Sequence, residues 1–285
     1  MARSRRLTLV LLVLVAAAVA VPAPAHADEQ RAHRGDVEAV FSFTRGSDEL
    51  RYHDLRLRIA RAGQTLVDGP VSAPGCEEPY CVPGGGLDGT SVRVRDLDGD
   101  GEPEVLLDLF TGGAHCCVKT RVYWFDGAGY RSLVHDFRDL GYRLRDLGGS
   151  TAPEFVSGDG RFGYLFASFA SSVFPLQVWA FRHGALVDVT RRFPARVRAD
   201  ARHAWRLYRK ARASGVYEPR GAIAAWAADR YLLGRRAATL RHLRALARSG
   251  ALPGDMPRSQ AAFVRRLDRT LRRLGYARRQ PVRAV

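Results

Sequence analysis

Four acidic side chains recur at regular positions within one nine-residue stretch of the chain. Asp96, Asp98, Asp100 and Glu104 occupy positions 1, 3, 5 and 9 of this stretch. Each pair of like charges held about 4 Å apart costs about 1–4 kcal/mol unless a counter-ion neutralises it. Ca²⁺ is the divalent ion that fits best, because it takes several oxygen ligands and tolerates an irregular cage. The stretch therefore predicts a calcium loop, and the alternative is an acidic turn that only water solvates.

The remaining positions distinguish this stretch from an EF-hand. Gly101 at position 6 allows a sharp turn, and the carbonyl of Glu102 at position 7 would be a fifth ligand. An EF-hand needs a bidentate glutamate at position 12, where this chain has Leu107. Pro103 and the apolar run 105–109 indicate that the chain continues into a buried strand and not into a helix.

An Asp-x-Asp-x-Asp-Gly-x-x-(Asp/Glu) loop between two strands resembles the calcium loop of FG-GAP and VCBS repeats, the blades of integrin-α-like β-propellers. The resemblance covers residues 91–137 well and about the next fifty residues weakly. The Gly-Gly-x-His-Cys-Cys string at 112–117 resembles a motif of secreted bacterial proteins that carry such repeats. The resemblance implies one calcium ion with a structural role. Its implied ligands are Asp96, Asp98, Asp100, Glu104 and the carbonyl of Glu102.

A weak internal repeat supports this interpretation. The tripeptide 95–97 returns at 145–147, and the dipeptide 103–104 returns at 153–154. The spacing of about fifty residues is near the length of one four-stranded propeller blade. Because the second copy lacks the two central aspartates of the first, we expect one calcium loop and not two.

Residues 1–27 have the pattern of an export signal. Arginines near the start precede an apolar core at 7–21, and Ala25, His26 and Ala27 form a cleavage site of small residues. We expect cleavage near Ala27–Asp28 and a secreted protein. An uncleaved membrane anchor is the alternative, although an apolar core of this length is short for a membrane span.

The chain has four cysteines, which an exported protein is expected to oxidise. Cys76 and Cys81 lie in a turn-rich segment, whereas Cys116 and Cys117 are adjacent. The first choice pairs Cys76 with Cys81 and makes Cys116–Cys117 a vicinal disulfide. The alternative joins the two regions across strands, and the sequence leaves both pairings open.

His115 precedes the adjacent cysteines and invites sharper interpretations. A soft-metal site would need thiolates at tetrahedral spacing, which adjacent cysteines rarely offer to one ion. A Cys–His nucleophile would need a free, activated thiol, which an oxidising compartment disfavours. The interpretation that we prefer is that the adjacent cysteines are oxidised in disulfides and that the side chain of His115 caps a turn of the loop.

Alternating apolar and polar residues predict strands in the first part of the chain, without an intervening helical pattern. The predicted strands are clearest at 37–43, 55–59, 91–96 and 118–125. Strands separated only by short turns favour an antiparallel meander. From Pro194 onwards the apolar residues recur at helical spacing. Helices are predicted from Pro194 to the residue before Gly215 and at 219–233, 235–249 and 258–274, and each is followed by a glycine.

The sequence thus predicts an α+β fold with two domains. An antiparallel β domain would span 28–193, with blades at about 91–137 and 141–193, and a basic helical domain would span 194–285. About three blades fit into the β domain, whereas closed propellers usually have four to eight. An open stack or sandwich of sheets is therefore favoured over a closed ring.

Charge is divided unevenly between these two parts. Residues 28–194 carry 19 basic and 24 acidic side chains, whereas residues 195–285 carry 23 basic and 5 acidic ones. Export argues against a nucleic-acid partner, so we expect the arginine-rich helices to bind anionic cell-surface polymer or lipid headgroups. The alternatives are a solvated arginine-rich face and an intramolecular contact with the acidic β domain.

These observations predict a secreted, non-catalytic calcium-binding module. No Gly-x-Ser-x-Gly, phosphate-loop or His-Glu-x-x-His motif occurs in the sequence. The competing class is a secreted hydrolase acting on a cell-wall or extracellular polymer, with its chemistry among the loop carboxylates and His115. Spatially paired carboxylates of the kind used in glycoside hydrolysis leave no sequence signature.

Overall fold

The computed structural model describes residues 27–48, 51–84, 90–215, 218–252 and 257–278. All strands in this part of the chain precede the four α-helices, which confirms the predicted α+β fold class. The strands are β1 (Ala27–Arg34), β2 (Val37–Arg45), β3 (Tyr52–Arg61), β4 (Gln64–Pro70), β5 (Val82–Pro83), β6 (Val92–Arg95), β7 (Glu104–Gly113), β8 (Cys116–Phe125), β9 (Tyr130–Arg138), β10 (Arg143–Arg145), β11 (Glu154–Gly158), β12 (Leu176–Arg182) and β13 (Ala185–Asp188). The helices are α1 (Pro194–Ser214), α2 (Pro219–Leu232), α3 (Arg236–Arg248) and α4 (Pro257–Arg273).

The predicted signal segment lies almost wholly outside the described residues, which begin at Ala27. Within those residues, no helix is both long and apolar enough to cross a membrane.

Each sheet is an antiparallel meander in which neighbouring strands pair in chain order. The first sheet has the order β1-β2-β3-β4, and the third has the order β10-β11-β12-β13. In the second sheet β6, β7, β8 and β9 pair in turn, and the short β5 pairs with the later part of β7. The described strands form no closed ring, in agreement with the expected open stack.

Two apolar cores lie between these three sheets. Phe41 and Leu57 of the first sheet pack in one core with residues of β7. Val122 of the second sheet packs in the other core with Phe155 and Phe181 of the third sheet. The second sheet therefore lies between the other two.

Strand β7 is buried on both of its faces. Val105, Leu107 and Leu109 belong to the core with the first sheet, whereas Leu106 belongs to the core with the third sheet. This position explains why residues 105–109 of β7 are apolar at every position but Asp108, since a strand with water on one face would alternate. The predicted entry into a buried strand after Pro103 is what the structure shows.

The helices pack around α2, whose residues 222–228 are all buried. The alanines among them leave room for α1 to approach closely, and residues of α3 and α4 complete the same apolar core. Gly221 serves the same purpose at the start of α2, because a Cβ there would collide with the carbonyl oxygen of Ser171. Phe162 and Phe166, from the segment between β11 and β12, complete this core. The helical core thus includes residues from both sides of the predicted domain boundary at 193/194.

Candidate metal centre

The acidic stretch 96–104 forms the loop that connects β6 to β7. Arg95 at the end of β6 lies opposite Glu104 at the start of β7 in the antiparallel register. The loop leaves and re-enters the sheet at one point, so Asp96 and Glu104 are brought together where the two strands meet. Gly99 and Gly101 have φ angles of +85° and +92°, a backbone conformation that glycine adopts without steric cost.

Three carboxylates converge inside this loop. Asp96, Asp98 and Glu104 each offer one oxygen, and these oxygens all lie within 4.8 Å of one another. Asp96 and Glu104 are buried, whereas Asp98 is partly exposed. The donors are all hard oxygen atoms, which is the donor type that Ca²⁺ and Mg²⁺ prefer.

Backbone N–H groups of the loop hold two of these carboxylates in place. The N–H of Gly99 donates to Oδ1 of Asp96 at 2.7 Å, and the N–H of Gly101 donates to Oδ2 at 3.1 Å. The N–H of Leu97 donates to Oε2 of Glu104 at 2.7 Å. The buried carboxylates therefore shape the loop as well as concentrate charge in it.

The side chains of the other two predicted ligand residues, Asp100 and Glu102, do not join the three converging carboxylates. Asp100 is outside the converging group, and its Oδ1 accepts a hydrogen bond from the N–H of Glu102 at 2.8 Å. The carboxylate of Glu102 pairs with Arg61 of β3, with Nε of Arg61 2.9 Å from Oε1 of Glu102. This ion pair connects the loop to the first sheet. Only the carbonyl of Glu102 is available as the predicted ligand, because its side chain points to Arg61.

The electrostatics of the loop indicate unbalanced negative charge. Burial raises the pKa of Glu104 to about 8; the hydrogen bond from Leu97 opposes the shift, while the charges of Asp98 and Asp100 add to it. Burial also raises the pKa of Asp98, and the charges of Asp100 and Asp96 add to the shift. A divalent cation among these oxygens would favour the ionised carboxylates. The donor set and its charge therefore fit a hard cation.

The second copy of the repeat forms two of the same loop hydrogen bonds as the first. The N–H of Leu147 donates to Oε2 of Glu154 at 2.9 Å, and the N–H of Gly149 donates to Oδ1 of Asp146 at 2.7 Å. These two bonds repeat those of Leu97 and Gly99 in the first copy, fifty residues earlier. The internal repeat noticed in the sequence is therefore a repeat of structure.

The two loops also lie next to each other. A Cβ at Gly99 would be 3.5 Å from the Cβ of Ala152 in the second copy. With the ion pair from Arg61 to Glu102 on its other side, the first loop contacts both neighbouring parts of the β structure. A change in the conformation of this loop would therefore also affect its contacts with the first sheet and with the second copy.

Sequence reasoning missed a buried charged group in the middle of β7. Asp108 is fully buried, and its carboxylate accepts hydrogen bonds from Thr120 at 2.6 Å and from the hydroxyl of Tyr142 at 3.1 Å. Arg93 of β6 forms an ion pair with it. The available signal was a single aspartate within the apolar run 105–109. This network joins the second sheet to Tyr142 at the start of the third, and it offers only one carboxylate.

The cysteines and His115 lie at another part of the β structure. Cys76 is paired with Cys81, and Cys116 is paired with Cys117. The ring of His115 stacks on Phe169 with centroids 3.9 Å apart, and Tyr164 meets it edge-on. Within the described residues no hydrogen bond to the His115 side chain is found, so its contact is ring stacking and not the expected cap of the turn.

The arginine-rich faces of the helices are largely exposed, as predicted. Arg241, Arg244 and Arg269 are exposed to solvent. Arg236 differs, because its guanidinium pairs with Asp268 of α4, with Nε 2.8 Å from Oδ1. One member of the predicted basic surface thus serves to connect α3 to α4.

Comparison with known proteins finds two curated relatives that match part of the chain. A probable thylakoid lumen protein, sll0997 of Synechocystis, is 38% identical over 103 residues, which are 35% of this chain and 30% of that protein. The uncharacterized protein y4bJ of Sinorhizobium fredii is 30% identical over 189 residues, which are 65% of this chain and 28% of that protein. The chain thus spans less than a third of each of these relatives. No family model and no solved structure matches it.

Proposed function

We propose that this protein is an exported, non-catalytic binding module whose β domain is stabilised by one calcium ion in the loop 96–104. The observation that carries the proposal is the convergence of Asp96, Asp98 and Glu104 within 4.8 Å, with two of the three buried. Holding these carboxylates ionised without a cation is unfavourable, because burial raises the pKa of Glu104 and the charges of Asp98 and Asp100 add to the shift.

The ion would be held by the side chains of Asp96, Asp98, Asp100 and Glu104 and by the carbonyl of Glu102. When bound, it would neutralise the loop and fix its conformation. The loop contacts the first sheet through Arg61 and the second repeat copy through Ala152, so a fixed loop would hold the sheets in register. The role proposed for calcium is therefore structural.

A relationship to FG-GAP and VCBS repeats is part of the proposal. It is supported by two four-stranded meanders, β6–β9 and β10–β13, in which the loop before the second strand has equivalent hydrogen bonds. The strand register is equivalent as well, since Arg95 lies opposite Glu104 and Arg145 lies opposite Glu154.

Export of the protein is proposed on three grounds. Residues 1–27 have the pattern of a signal segment, the cysteines are paired, and one relative is named as a thylakoid lumen protein, which points to a translocated or lumenal protein. A non-catalytic role is supported by the sulfurs beside His115, which are bonded to each other and offer no thiolate. The exposed arginines of α3 and α4 are proposed to bind anionic polymer or lipid headgroups outside the cell.

The experiment is a calcium titration followed by thermal unfolding. We expect an affinity of about 10⁻⁴–10⁻³ M, as in other extracellular modules. At a calcium concentration ten times the dissociation constant, binding would add about 1.4 kcal/mol to the free energy of unfolding. Asp98→Ala should abolish the calcium-dependent rise in melting temperature, because it removes a converging ligand and only one long hydrogen bond, from Asp100 at 3.3 Å.

The matched control is Asp146→Ala in the second copy. Asp146 holds its loop through Gly149 but has no second aspartate beside it, so this variant should lose stability and keep the full calcium response. A calcium-dependent rise in Asp98→Ala equal to that of the unmodified protein would refute the site.

A further inference from the structure

A cleft of about 750 Å³ opens between α1, α2 and α3, well away from the calcium loop in the chain. Its floor is aromatic. The ring centroids of Trp205, Trp226 and His242 lie 5.1, 5.3 and 5.4 Å apart in the three pairs that they form. Trp226 is buried and Trp205 is partly buried in the helical core, and both tryptophans also line the cleft.

The rim of the cleft is basic. No acidic side chain lines it, whereas five arginines do, and none of the five forms an ion pair with a carboxylate in the described part of the chain. These are Arg198, Arg202, Arg206, Arg230 and Arg235.

The arrangement of these arginines is costly without a bound anion. Arg198, Arg202 and Arg206 follow one another at intervals of four on α1, where like charges destabilise a helix. Arg230 lies over the ring of Trp226, with its guanidinium carbon 5.5 Å from the ring centroid. Burial and the nearby charge of Arg235 lower the pKa of Arg230. An anion in the cleft would relieve these repulsions.

The combination of an aromatic floor and a basic rim defines the ligand. Planar rings stack on tryptophan, and arginine binds phosphate or carboxylate through paired hydrogen bonds while also stacking on aromatic faces. A cleft of this volume is in the range of small-molecule sites. We propose that the cleft binds a small anion that carries a planar aromatic ring, with the ring against Trp205 and Trp226 and the anionic group among the arginines.

This inference does not depend on the calcium site. The cleft is built from helices alone, so its ligand should bind equally well in excess calcium and in excess chelator. Failure of the cleft experiment would leave the calcium proposal standing, and the reverse also holds.

The experiment is calorimetric titration of the full chain with 1-naphthyl phosphate. Two partial ligands are titrated in parallel: inorganic phosphate, which has only the anionic group, and 1-naphthol, which has only the aromatic ring. We expect saturable binding of one 1-naphthyl phosphate per chain, at least tenfold tighter than that of either half. Equal affinity for inorganic phosphate and for 1-naphthyl phosphate would overturn the role of the aromatic floor. Absence of binding would overturn the site.

Three variants locate the binding. Arg202→Gln and Trp205→Leu should each weaken the binding of 1-naphthyl phosphate at least tenfold. The matched control is Arg196→Gln, an exposed arginine about 120° around the same helix from Arg202, which should bind within twofold of the unmodified protein. Since Arg202 is exposed, its variant remains informative even if Trp205→Leu fails to fold.

The same variants distinguish the cleft from a diffuse basic surface. Vesicles of phosphatidylglycerol and phosphatidylcholine serve as the polyanionic probe. If Arg196→Gln and Arg202→Gln lose 1-naphthyl phosphate and vesicle binding to the same extent, the anions are held by overall charge, and the proposed site is wrong.

Discussion

The loops 96–104 and 146–154 share a strand register and two backbone hydrogen bonds but differ in charge. In both copies a glutamate at the last position and an aspartate at the first accept equivalent backbone hydrogen bonds. Those two side chains are thus sufficient to form the turn in the second copy. The additional aspartates of the first copy, Asp98 and Asp100, add charge and accept two further hydrogen bonds, from the N–H groups of Asp100 and Glu102. The comparison teaches that the two shared hydrogen bonds do not depend on the acidic cluster of the first copy.

The largest effect should come from removing the glutamate that both copies share. Glu104→Ala and Glu154→Ala each leave a backbone N–H without its acceptor, which costs about 1–3 kcal/mol where the site is buried. In saturating calcium Glu104→Ala should lose more stability, because the contribution of the ion disappears as well. Chemical denaturation with and without calcium measures both losses. Equal losses in the two variants, with the calcium response intact in each, would remove the distinction between the copies.

A second calcium site should appear when the missing residues are restored to the second copy. The triple variant Gly148→Asp/Ser150→Asp/Thr151→Gly gives it the residue types of the first. A Cβ at position 148 would lie 3.7 Å from Oε1 of Glu154, an ordinary contact, so the new carboxylate has room. Calorimetry should show two ions in place of one. At ten times the dissociation constant, the second ion would add about 1.4 kcal/mol of stability. A stoichiometry that stays at one would mean that the shared shape does not suffice.

Calcium affinity should rise with pH because Glu104 must lose its proton to bind the ion. Its folded pKa of about 8 lies above the ordinary value of 4.5, so the calcium-free folded protein holds a proton that the unfolded chain has lost. The stability of the calcium-free protein therefore falls as pH rises between these two values. For a group with this pKa, affinity should increase about fivefold from pH 7 to pH 8. Calorimetry in buffers of different ionisation enthalpy would reveal the released proton. An affinity independent of pH over this range would contradict the assignment of Glu104.

The smallest effect should come from the ion pair between the loop and the first sheet. Both partners are partly exposed, and exposed ion pairs contribute little to stability. We expect Arg61→Ala to leave the calcium stoichiometry unchanged and to lower the melting temperature only slightly. A loss of calcium binding in this variant would show that Arg61 sets the position of the loop. The second copy has no equivalent ion pair among the described residues, because Ala152 stands where the first copy has Glu102.

Sequence reasoning located the elements with strong periodicity best. The four helices were predicted within two residues of their observed ends, because Pro194 and Gly215 mark the limits of α1 and similar signals mark the others. Strand β1 was missed, since it lies at the edge of a sheet and its residues lack the alternation that signals a half-buried strand. The short strands β10 and β13 of the third sheet were missed for a related reason, because three or four residues are too few to show an alternating pattern.

The sequence identified the residues of the candidate site more completely than it identified their contacts in the fold. The spacing of the acidic residues identified the loop, but the pairing of Glu102 with Arg61 depends on a residue 41 positions away in the chain. The buried Asp108 network and the cleft around Trp205 depend on contacts between distant segments in the same way. Local patterns carry no information on such contacts.

Apart from the short β5, the strands of each sheet pair with their neighbours in the chain, and this order determines how the molecule can assemble. Each meander consists of one uninterrupted piece of chain, so it can form as soon as that piece is free, without waiting for later residues. The helices must follow the third sheet, because Phe162 and Phe166 supply part of their packing surface. A polypeptide that emerges from a translocation pore with its amino end first would thus assemble in the order of its sequence.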